Sequence, residues 1–326
     1  MNRVIGIGNA LVDVIIKLQD EKVLKNFSLP KGSMQLVDHK LALRIENETK
    51  GSETILASGG SAANTIHGLS KLGIETGFIG KIGHDNLGDF FRNDIISAGI
   101  KPYIAHGNDL TGRAITLVSP DSERTFATFL GSAIELNTSD LDDIPFSNYS
   151  VLHVEGYLVQ NQKLVETVLK IAKLNGLKTS LDLASYNVVQ ENKEFLRDTI
   201  EKYVDIVFAN EEEALAITGK NPQEAVEELS LICNIAIVKT GSSGSIIQKG
   251  KEQSKIDVID VQCIDTTGAG DLYAAGFLYG LSKNLHISRC GKIGALLAGK
   301  VIETLGAKIP GSGWNEIKKL KEAIEQ

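Results

Sequence analysis

Residues 205–241 read DIVFANEEEALAITGKNPQEAVEELSLICNIAIVKTG, and their pattern indicates the fold class. Two short β-rich runs, DIVFAN and IAIVKTG, enclose the helical pattern NPQEAVEELSLIC. A strand, a helix and a second strand in this order are typical of a parallel pair joined by a helical crossover. The segment therefore predicts an α/β fold with a mainly parallel sheet.

The same alternation runs through the chain from about Lys71 onward. A long amphipathic pattern, QNQKLVETVLKIAKLNG, lies between two further β-rich runs. The remaining strand candidates are short and apolar: ETGFIGKIG, YSVLHVEG and LKTSLDLA. This pattern predicts a doubly wound, mainly parallel sheet flanked by helices, in which ligands lie beyond the carboxyl ends of the strands.

Two segments, about residues 15–40 and 101–130, interrupt the alternation. Both contain β-rich runs and turn signals without a helix-length pattern, as in KPYIAHG, AITLVSP and RTFATFL. Together they predict a small β-sheet that stands off the main sheet and acts as a lid over a ligand. The alternative is two surface hairpins without such a role.

Composition argues against several classes of protein. The 326 residues carry a formal net charge of -7 with scattered lysines and arginines, so we expect no nucleic-acid partner. Neither an apolar run of membrane-spanning length nor a signal-peptide pattern is present, so we expect no membrane partner and a cytoplasmic location. The three cysteines are widely spaced, which argues against a disulfide framework or a zinc site.

The segment CIDTTGAGDLYAAGFLYGL, residues 263–281, places one carboxylate, Asp271, at the start of an apolar helix pattern. Gly268 and Gly270 lack a Cβ, so their backbone can approach a ligand closely. Amides in such a turn, at the positive end of a helix dipole, suit a phosphate. A carboxylate beside them is a candidate base for a hydroxyl that attacks a phosphoryl group. The alternative is a helix N-cap.

Two further segments carry polar residues suited to a sugar. In GGSAANTIHGLSKLG, residues 59–73, two glycines precede a helix whose first turn presents Asn64, which can both donate and accept. In GNALVDV, Asn9 and Asp13 flank an apolar pair, and a vicinal diol offers two donors to one carboxylate. The alternatives are an ordinary glycine turn and a solvated acid.

The segment FANEEEAL indicates a magnesium and phosphate site. Asn210 and Glu213 leave a strand end three residues apart, on one face of a starting helix, where they can hold the water shell of Mg²⁺. Acidic residues in a first turn also stabilise the helix dipole without any ligand. Both interpretations stay open on this segment alone.

Two other glycine patterns lack what nucleotide binding requires. GALLAGKV, residues 294–301, misses the hydroxyl residue of a phosphate-binding loop and lies within an apolar helical run, so we interpret it as helix packing. Gly6 and Gly8 begin a dinucleotide motif, but Leu11 occupies the third glycine position.

Taken together, these segments resemble the ribokinase-like (PfkB) family of carbohydrate kinases over nearly the whole chain. The resemblance rests on GGSAANTIHGLSKLG followed by DTTGAGD, with the Asn-x-x-Glu of residues 210–213 between them. It implies a single ribokinase-like kinase domain over residues 1–326, which transfers the ATP γ-phosphoryl group to a primary hydroxyl of a sugar or nucleoside. The cofactors that it implies are ATP and Mg²⁺, and some relatives also need K⁺.

The resemblance implies a role for each matching position. Asp271 matches the catalytic base of the family, and Asn210 and Glu213 match its magnesium and phosphate motif. The anion hole corresponds to Gly268, Ala269 and Gly270. The positions that would hold the sugar hydroxyls are Asn9, Asp13, Gly59, Gly60 and Asn64.

Three segments, GNALVD, LPKGSMQLVD and SPDSERTF, are most similar to the adenosine-kinase-like branch, which makes a ribonucleoside a candidate acceptor. Arg124 is then a candidate contact to the transferring phosphate, or else a surface arginine on a hairpin. A nucleoside base needs an apolar slot, and the candidates on the lid are Met34, Leu36, Phe126 and Phe129.

The segment IVKTGSSGS is the predicted nucleotide-binding segment near the second strand end. Gly241 and Gly244 let the backbone approach a nucleotide, beside Lys239 and Thr240. The small polar residue and Leu-Gly that the family often has there are absent. Two questions stay open: whether the chain is instead a non-catalytic sensor of sugar or nucleotide, and whether it is a monomer or a homodimer.

Overall fold

The computed structural model describes residues 3–121 and 123–325, and within those residues fourteen strands form two sheets. The strands are β1 Val4–Ile7, β2 Leu11–Lys17, β3 Met34–Leu36, β4 Thr54–Gly59, β5 Thr76–Ile82, β6 Ile100–His106, β7 Gly112–Val118, β8 Arg124–Phe129, β9 Val151–Glu155, β10 Lys178–Asp182, β11 Ile206–Asn210, β12 Ile235–Lys239, β13 Ser245–Lys249 and β14 Glu252–Ile256. The α-helices are α1 Lys22–Asn26, α2 His39–Glu48, α3 Ser61–Lys71, α4 Asn86–Ser97, α5 Gln162–Leu174, α6 Tyr186–Glu191, α7 Lys193–Tyr203, α8 Glu211–Thr218, α9 Pro222–Leu229, α10 Ala269–Ser282, α11 Ile287–Val301 and α12 Gly311–Glu325. Short 3-10 turns lie at Gly131–Glu135, Thr138–Leu141, Phe146–Asn148, Gly156–Asn161 and Gly241–Ser243.

The large sheet has the order β14-β13-β12-β11-β10-β9-β1-β5-β6. Its strands from β12 to β6 pair in parallel, and β13 and β14 add an antiparallel edge. The small sheet has the order β3-β8-β7-β2-β4. The strands predicted for the large sheet become β5, β9, β10, β11 and β12, which confirms the α/β prediction.

Alternating side chains bury the large sheet on both faces. In β11, Ile206 and Phe208 join the hydrophobic core that contains α10 and α11. Val207 and Ala209, from the same strand, join the core that contains α5, α7 and α8. Successive residues of a strand point to opposite faces, so a strand with both residue sets apolar needs helices on both sides.

The predicted bounds of the small sheet need correction. Residues 100–106 form β6, which pairs in parallel with β5 in the large sheet because α4 returns the chain to the same edge. Residues 54–59 form β4 of the small sheet, outside the predicted segments, and β2 already begins at Leu11. The segment about 15–40 also contains α1 and the start of α2. The β4 strand lies at the edge of its sheet, and four of its side chains are at least partly exposed. Its sequence therefore lacks the alternation of apolar and polar residues that identifies a half-buried strand.

Glycines let three helices approach one another closely. A Cβ at Gly68 of α3 would lie 2.8 Å from the Ala275 Cβ of α10, and one at Gly276 would lie 2.6 Å from the Ile293 oxygen of α11. A Cβ at Gly294, within the GALLAGKV segment, would lie 2.9 Å from the Tyr273 oxygen. The interpretation of that segment as helix packing is therefore confirmed, and α10 is fixed between α3 and α11.

In the part of the chain that the structure describes, no helix combines the length and the apolar character that a membrane crossing requires.

Candidate active site

A cavity of about 770 Å³ lies between the carboxyl ends of the large sheet and the small sheet. Its wall includes the last residue of three parallel strands, namely Glu155 of β9, Asp182 of β10 and Lys239 of β12. This is the place where open α/β sheets bind ligands. The small sheet contributes Leu11, Asp13, Met34, Leu36, Ala114 and Thr128 to the same wall.

Asp271 lies in the first turn of α10 and lines the cavity, where α3 holds its carboxylate. Ser61 Oγ donates to its Oδ1 (2.7 Å), and Asn64 Nδ2 donates to its Oδ2 (3.0 Å). Thr65 Oγ1 donates to the backbone oxygen of the same residue (3.1 Å). Burial raises the pKa of Asp271, although these two side-chain hydrogen bonds oppose the rise. The carboxylate is therefore oriented and made more basic.

The turn before Asp271 contains the residues of the predicted anion hole, whose role stays a prediction. Gly268 has a φ of 77°, and a Cβ there would lie 2.6 Å from the Ala307 Cβ, so only glycine fits. Gly268 and Gly270 line the cavity, at the helix end where amides lack partners within the helix. The Ala269 amide, also predicted for the anion hole, donates to the Thr266 oxygen (3.1 Å).

Arg124 does not line the cavity, and its contact with the transferring phosphate stays a prediction. Its Nη1 forms an ion pair with Asp265, and its Nη2 donates to the Ile264 oxygen (2.7 Å). Asp265 is buried and accepts from the Thr267 amide (2.8 Å) and the Gly306 amide (2.7 Å). A buried carboxylate attracts a cation strongly, so Arg124 ties β8 to the loop that precedes the predicted anion hole.

Asp13 lies on β2 and depends on two glycines beside it. A Cβ at Gly59 would lie 2.3 Å from the Asp13 Oδ1. Gly60 has a φ of 97°, and a Cβ there would lie 2.1 Å from the Asn9 oxygen. Burial raises the pKa of Asp13 to about 7, while the charge of Lys308 opposes the rise. Because both residues lack a Cβ, the end of β4 and the residue that follows it can lie directly against Asp13 and Asn9, which are predicted to bind an acceptor.

Asn9 lines the cavity and is held by a residue that the sequence analysis missed. Its amide nitrogen and its backbone N–H both donate to Glu155 Oε1 (2.7 and 2.9 Å). The Ala62 amide, at the start of α3, donates to Glu155 Oε2 (2.9 Å). Burial raises the Glu155 pKa to about 7. Glu155 thus joins the end of β1 to the helix that orients the candidate base.

Four large apolar side chains border the cavity while keeping much of their surface exposed. Met34 and Leu36 of β3 are 56% and 62% exposed, Ile134 is 60% exposed and Tyr157 is 36% exposed. We call these four residues the apolar wall. Phe126 and Phe129, the other two predicted slot residues, do not line the cavity. Phe129 is buried, and its ring packs on that of His39 at 5.6 Å, so its side chain belongs to the core beneath the small sheet.

Asn210 and Glu213 form a reciprocal helix cap at the start of α8. Asn210 Oδ1 accepts from the Glu213 amide (2.8 Å), and the Glu213 carboxylate accepts from the Asn210 amide (2.8 Å) and from its Nδ2 (2.7 Å). This is the geometry of a capping box. No three His, Cys, Asp or Glu side chains among residues 3–121 and 123–325 form a group suited to a metal ion. The magnesium role of Glu213, through the water shell of the ion, stays a prediction.

The predicted nucleotide-binding segment divides into two parts. Lys239 lines the cavity, and its Nζ donates to Asp182 Oδ2 (3.0 Å). The Thr240 amide donates to the Gly244 oxygen (2.8 Å) in the turn between β12 and β13, and Gly241 has a φ of 51°. These three residues therefore form the turn itself, through a backbone hydrogen bond and the positive φ of Gly241. Their contact with a nucleotide stays a prediction.

Several site residues that the sequence analysis did not name could have been found from the sequence. Glu155 and Asp182 end strands that were predicted, and the rule that ligands bind at carboxyl ends of strands would have found both. Ser61 follows the two glycines that were recognised. Asp265 begins the DTTGAGD motif, but nothing in that motif indicated its ion pair with Arg124, and no signal marked Lys308, because their partners lie far away along the chain.

The sequence and the structure are similar to those of known kinases. A model of the pfkB family of carbohydrate kinases matches residues 32–312. Adenosine kinase from Sinorhizobium meliloti is 33% identical, with a TM-score of 0.87 over 98% of this chain and 99% of its own. A probable sugar kinase from Rhizobium etli CFN 42 is 32% identical, with a TM-score of 0.88 over 98% of both chains. Ribokinase from Haemophilus influenzae is 28% identical over 280 residues, which are 80% of this chain and 88% of its own.

Proposed function

Because the chain belongs to the pfkB family of carbohydrate kinases and is a phosphotransferase with an alcohol acceptor, we propose that it transfers the ATP γ-phosphoryl group to the primary hydroxyl of a ribonucleoside. The observation that carries the choice of acceptor is the apolar wall, which borders the same cavity as the candidate base.

A sugar and a nucleoside would use this cavity differently. The hydroxyls of a free sugar would gain nothing from Met34, Leu36, Ile134 and Tyr157, whereas a nucleobase presents a flat, largely apolar face to such side chains. Exposed apolar groups that converge on one cavity are a common sign of a ligand site. The similarity to the adenosine kinase from Sinorhizobium meliloti supports the same acceptor class.

In the proposed complex, Asp13 accepts hydrogen bonds from the ribose diol and so directs the exocyclic hydroxyl toward Asp271. As the hydroxyl oxygen forms its bond to the γ-phosphorus, Asp271 takes the proton, and the bond from that phosphorus to the bridging oxygen of ADP breaks. Ser61 and Asn64 hold the carboxylate in position for this transfer. Much of the rate enhancement would come from positioning.

The backbone at Gly268 and Gly270 would stabilise charge on the transferred group. Bound to ATP, Mg²⁺ would neutralise part of the charge on the nucleotide phosphates. The oxygens of Asn210 and Glu213 have further lone pairs, and these would accept from the water shell of the ion.

The proposal predicts which acceptors release ADP. ADP formation is measured with ribose, fructose, 2-keto-3-deoxygluconate, adenosine and inosine, and we expect turnover with the two nucleosides and little with the free sugars. Turnover with a free sugar alone would contradict the nucleoside assignment. If no acceptor reacts while ligands still raise the melting temperature, the chain is a sensor rather than a kinase.

The affinity for the acceptor is expected to depend on pH through Asp13. The pKa of this group is about 7, because burial raises it above 3.8 together with the charges of Asp271 and Asp265, against that of Lys308. A protonated Asp13 has lost its charge and half of its capacity to accept from a diol. The acceptor KM should therefore rise as pH falls through about 7, by about tenfold between about pH 8 and about pH 6.

Asp13→Asn provides the matched control for this pH dependence. The amide has the same size but cannot ionise, so the acceptor KM should be high and nearly constant over the same pH range. If the variant keeps the pH dependence of the wild type, another group titrates, and the role of Asp13 is wrong. The kcat values are compared separately, because Asp271 titrates as well.

A further inference from the structure

The cavity wall carries an unequal distribution of charge. Its acidic residues, among those that the structure describes, are Asp13, Glu155, Asp182, Glu191 and Asp271. Among the same residues, Lys239 is the one lysine or arginine of the wall. A triphosphate that enters this cavity brings several negative charges beside a carboxylate that must act as a base. Like charges at short distance repel strongly in a partly buried site. A cation is therefore needed close to the place where the γ-phosphate would lie.

The position of Lys239 places its ammonium group at the anion site. The residue ends β12, and its Nζ lies 3.0 Å from where a Cβ would be built at Gly270. The Asp182 carboxylate fixes the other side of the same ammonium at 3.0 Å. The side chain is only 16% exposed, so little water screens its charge.

The surrounding charges keep this group protonated. Burial alone would lower the Lys239 pKa, but the negative charges of Asp182, Glu213 and Asp271 outweigh burial, and the pKa is raised overall. Lys239 is therefore a cation throughout the pH range in which a kinase works.

We propose that Lys239 is a catalytic residue whose ammonium group contacts the γ-phosphoryl group during transfer, with Asp182 as the residue that positions it. This inference rests on the proposed function of the site. As the acceptor oxygen attacks, the ammonium lies beside the Gly270 backbone and stabilises the charge on the γ-phosphoryl oxygens. Lys239 keeps its protons throughout, and the hydroxyl proton goes to Asp271.

A purely structural role makes different predictions. Lys239 would then only neutralise Asp182 and Glu213, and its removal would matter only while those carboxylates remain charged. Two measurements distinguish the catalytic role of Lys239 from the structural one. The first is the difference between ATP and ADP binding, since only ATP has the γ-phosphate. The second is the turnover of a variant in which the partner carboxylate is removed as well.

Lys239→Met is expected to lower kcat by about a hundredfold while the acceptor KM changes by less than about threefold. Calorimetry should show that a non-hydrolysable ATP analogue binds about tenfold more weakly, while ADP binding changes by less than about twofold. Lys239→Arg keeps the positive charge, so its kcat should be at least about tenfold higher than that of Lys239→Met. The nucleotide titrations need no acceptor, so they test Lys239 even if every acceptor in the panel fails.

The double variant Lys239→Met with Asp182→Asn removes the partner charge, so it should fold even if Lys239→Met does not. Its kcat is compared with that of Asp182→Asn alone, and we expect a further loss of at least about tenfold, which is smaller than the loss caused by Lys239→Met in the wild type because Asp182→Asn already removes the group that positions the ammonium. A double variant within about threefold of Asp182→Asn would overturn the proposal, as would equal effects on the binding of the ATP analogue and ADP. Absence of turnover in the wild type refutes the proposed function instead.

Discussion

Replacing Asp271 with asparagine is expected to lower kcat by at least about a hundredfold while the fold and ADP binding persist. The amide has nearly the shape of the carboxylate, so Ser61 and Asn64 can still hold it, but it cannot take a proton from the acceptor hydroxyl. The measurement is kcat with both substrates saturating, together with an ADP titration. Turnover within about threefold of the wild type would remove Asp271 from the mechanism.

Ser61→Ala is the informative companion variant. It removes one of the two side-chain hydrogen bonds to Asp271 and keeps the ionisable group. Because that hydrogen bond lowers the Asp271 pKa, its loss should move the acidic limb of the kcat profile to higher pH. We expect a smaller loss of kcat than in Asp271→Asn. An unchanged pH profile would show that Ser61 does not tune the base.

The second large effect is expected on stability, from Asp265→Ala. This change leaves the Arg124 guanidinium without its carboxylate and the amides of Thr267 and Gly306 without their acceptor. Breaking a buried ion pair from one side typically costs about 3–5 kcal/mol, and we expect a loss of that order in the free energy of unfolding. Urea denaturation measures it, and kcat should fall as well because the loop before the anion site loses its anchors.

Two control variants test whether the loss of stability in Asp265→Ala comes from the buried ion pair. Asp198→Ala removes an ion pair to Lys202 on the exposed face of α7, and it should leave the urea midpoint unchanged. Arg124→Met keeps the two amides on Asp265, so its loss of stability should be smaller than that of Asp265→Ala. An Asp265→Ala midpoint equal to that of the wild type would show that the ion pair contributes nothing to the fold.

The sequence predicted the large sheet well because the signal there is local. Runs such as residues 205–210 are apolar on both faces, and both faces are buried in the structure. The small sheet was predicted less well. Its edge strand β4 exposes Ile55 and Leu56, so no burial pattern distinguishes it from a loop. Residues 101–106 look like a hairpin strand by themselves, and only their pairing with β5 places them in the large sheet.

The same distinction explains which site residues were predicted. Asp271, Gly268 and Gly270 lie within one short segment whose residue types already indicate its chemistry. The partner of Arg124 is 141 positions away along the chain, so a local pattern gives no information about that ion pair. Lys239 was assigned to the nucleotide for its place at a strand end, but its proximity to Gly270 becomes visible only in three dimensions.

The close contact of α3 with α10 has a consequence for how this protein can change during evolution. Because the candidate base Asp271 is held between two core helices, its position is set by the interior rather than by loop motion. New acceptors would then arise chiefly from changes in strand β3 and the turn at residues 131–135, which leave that position untouched. Bulkier side chains at Gly68 would instead alter every reaction of the protein at once.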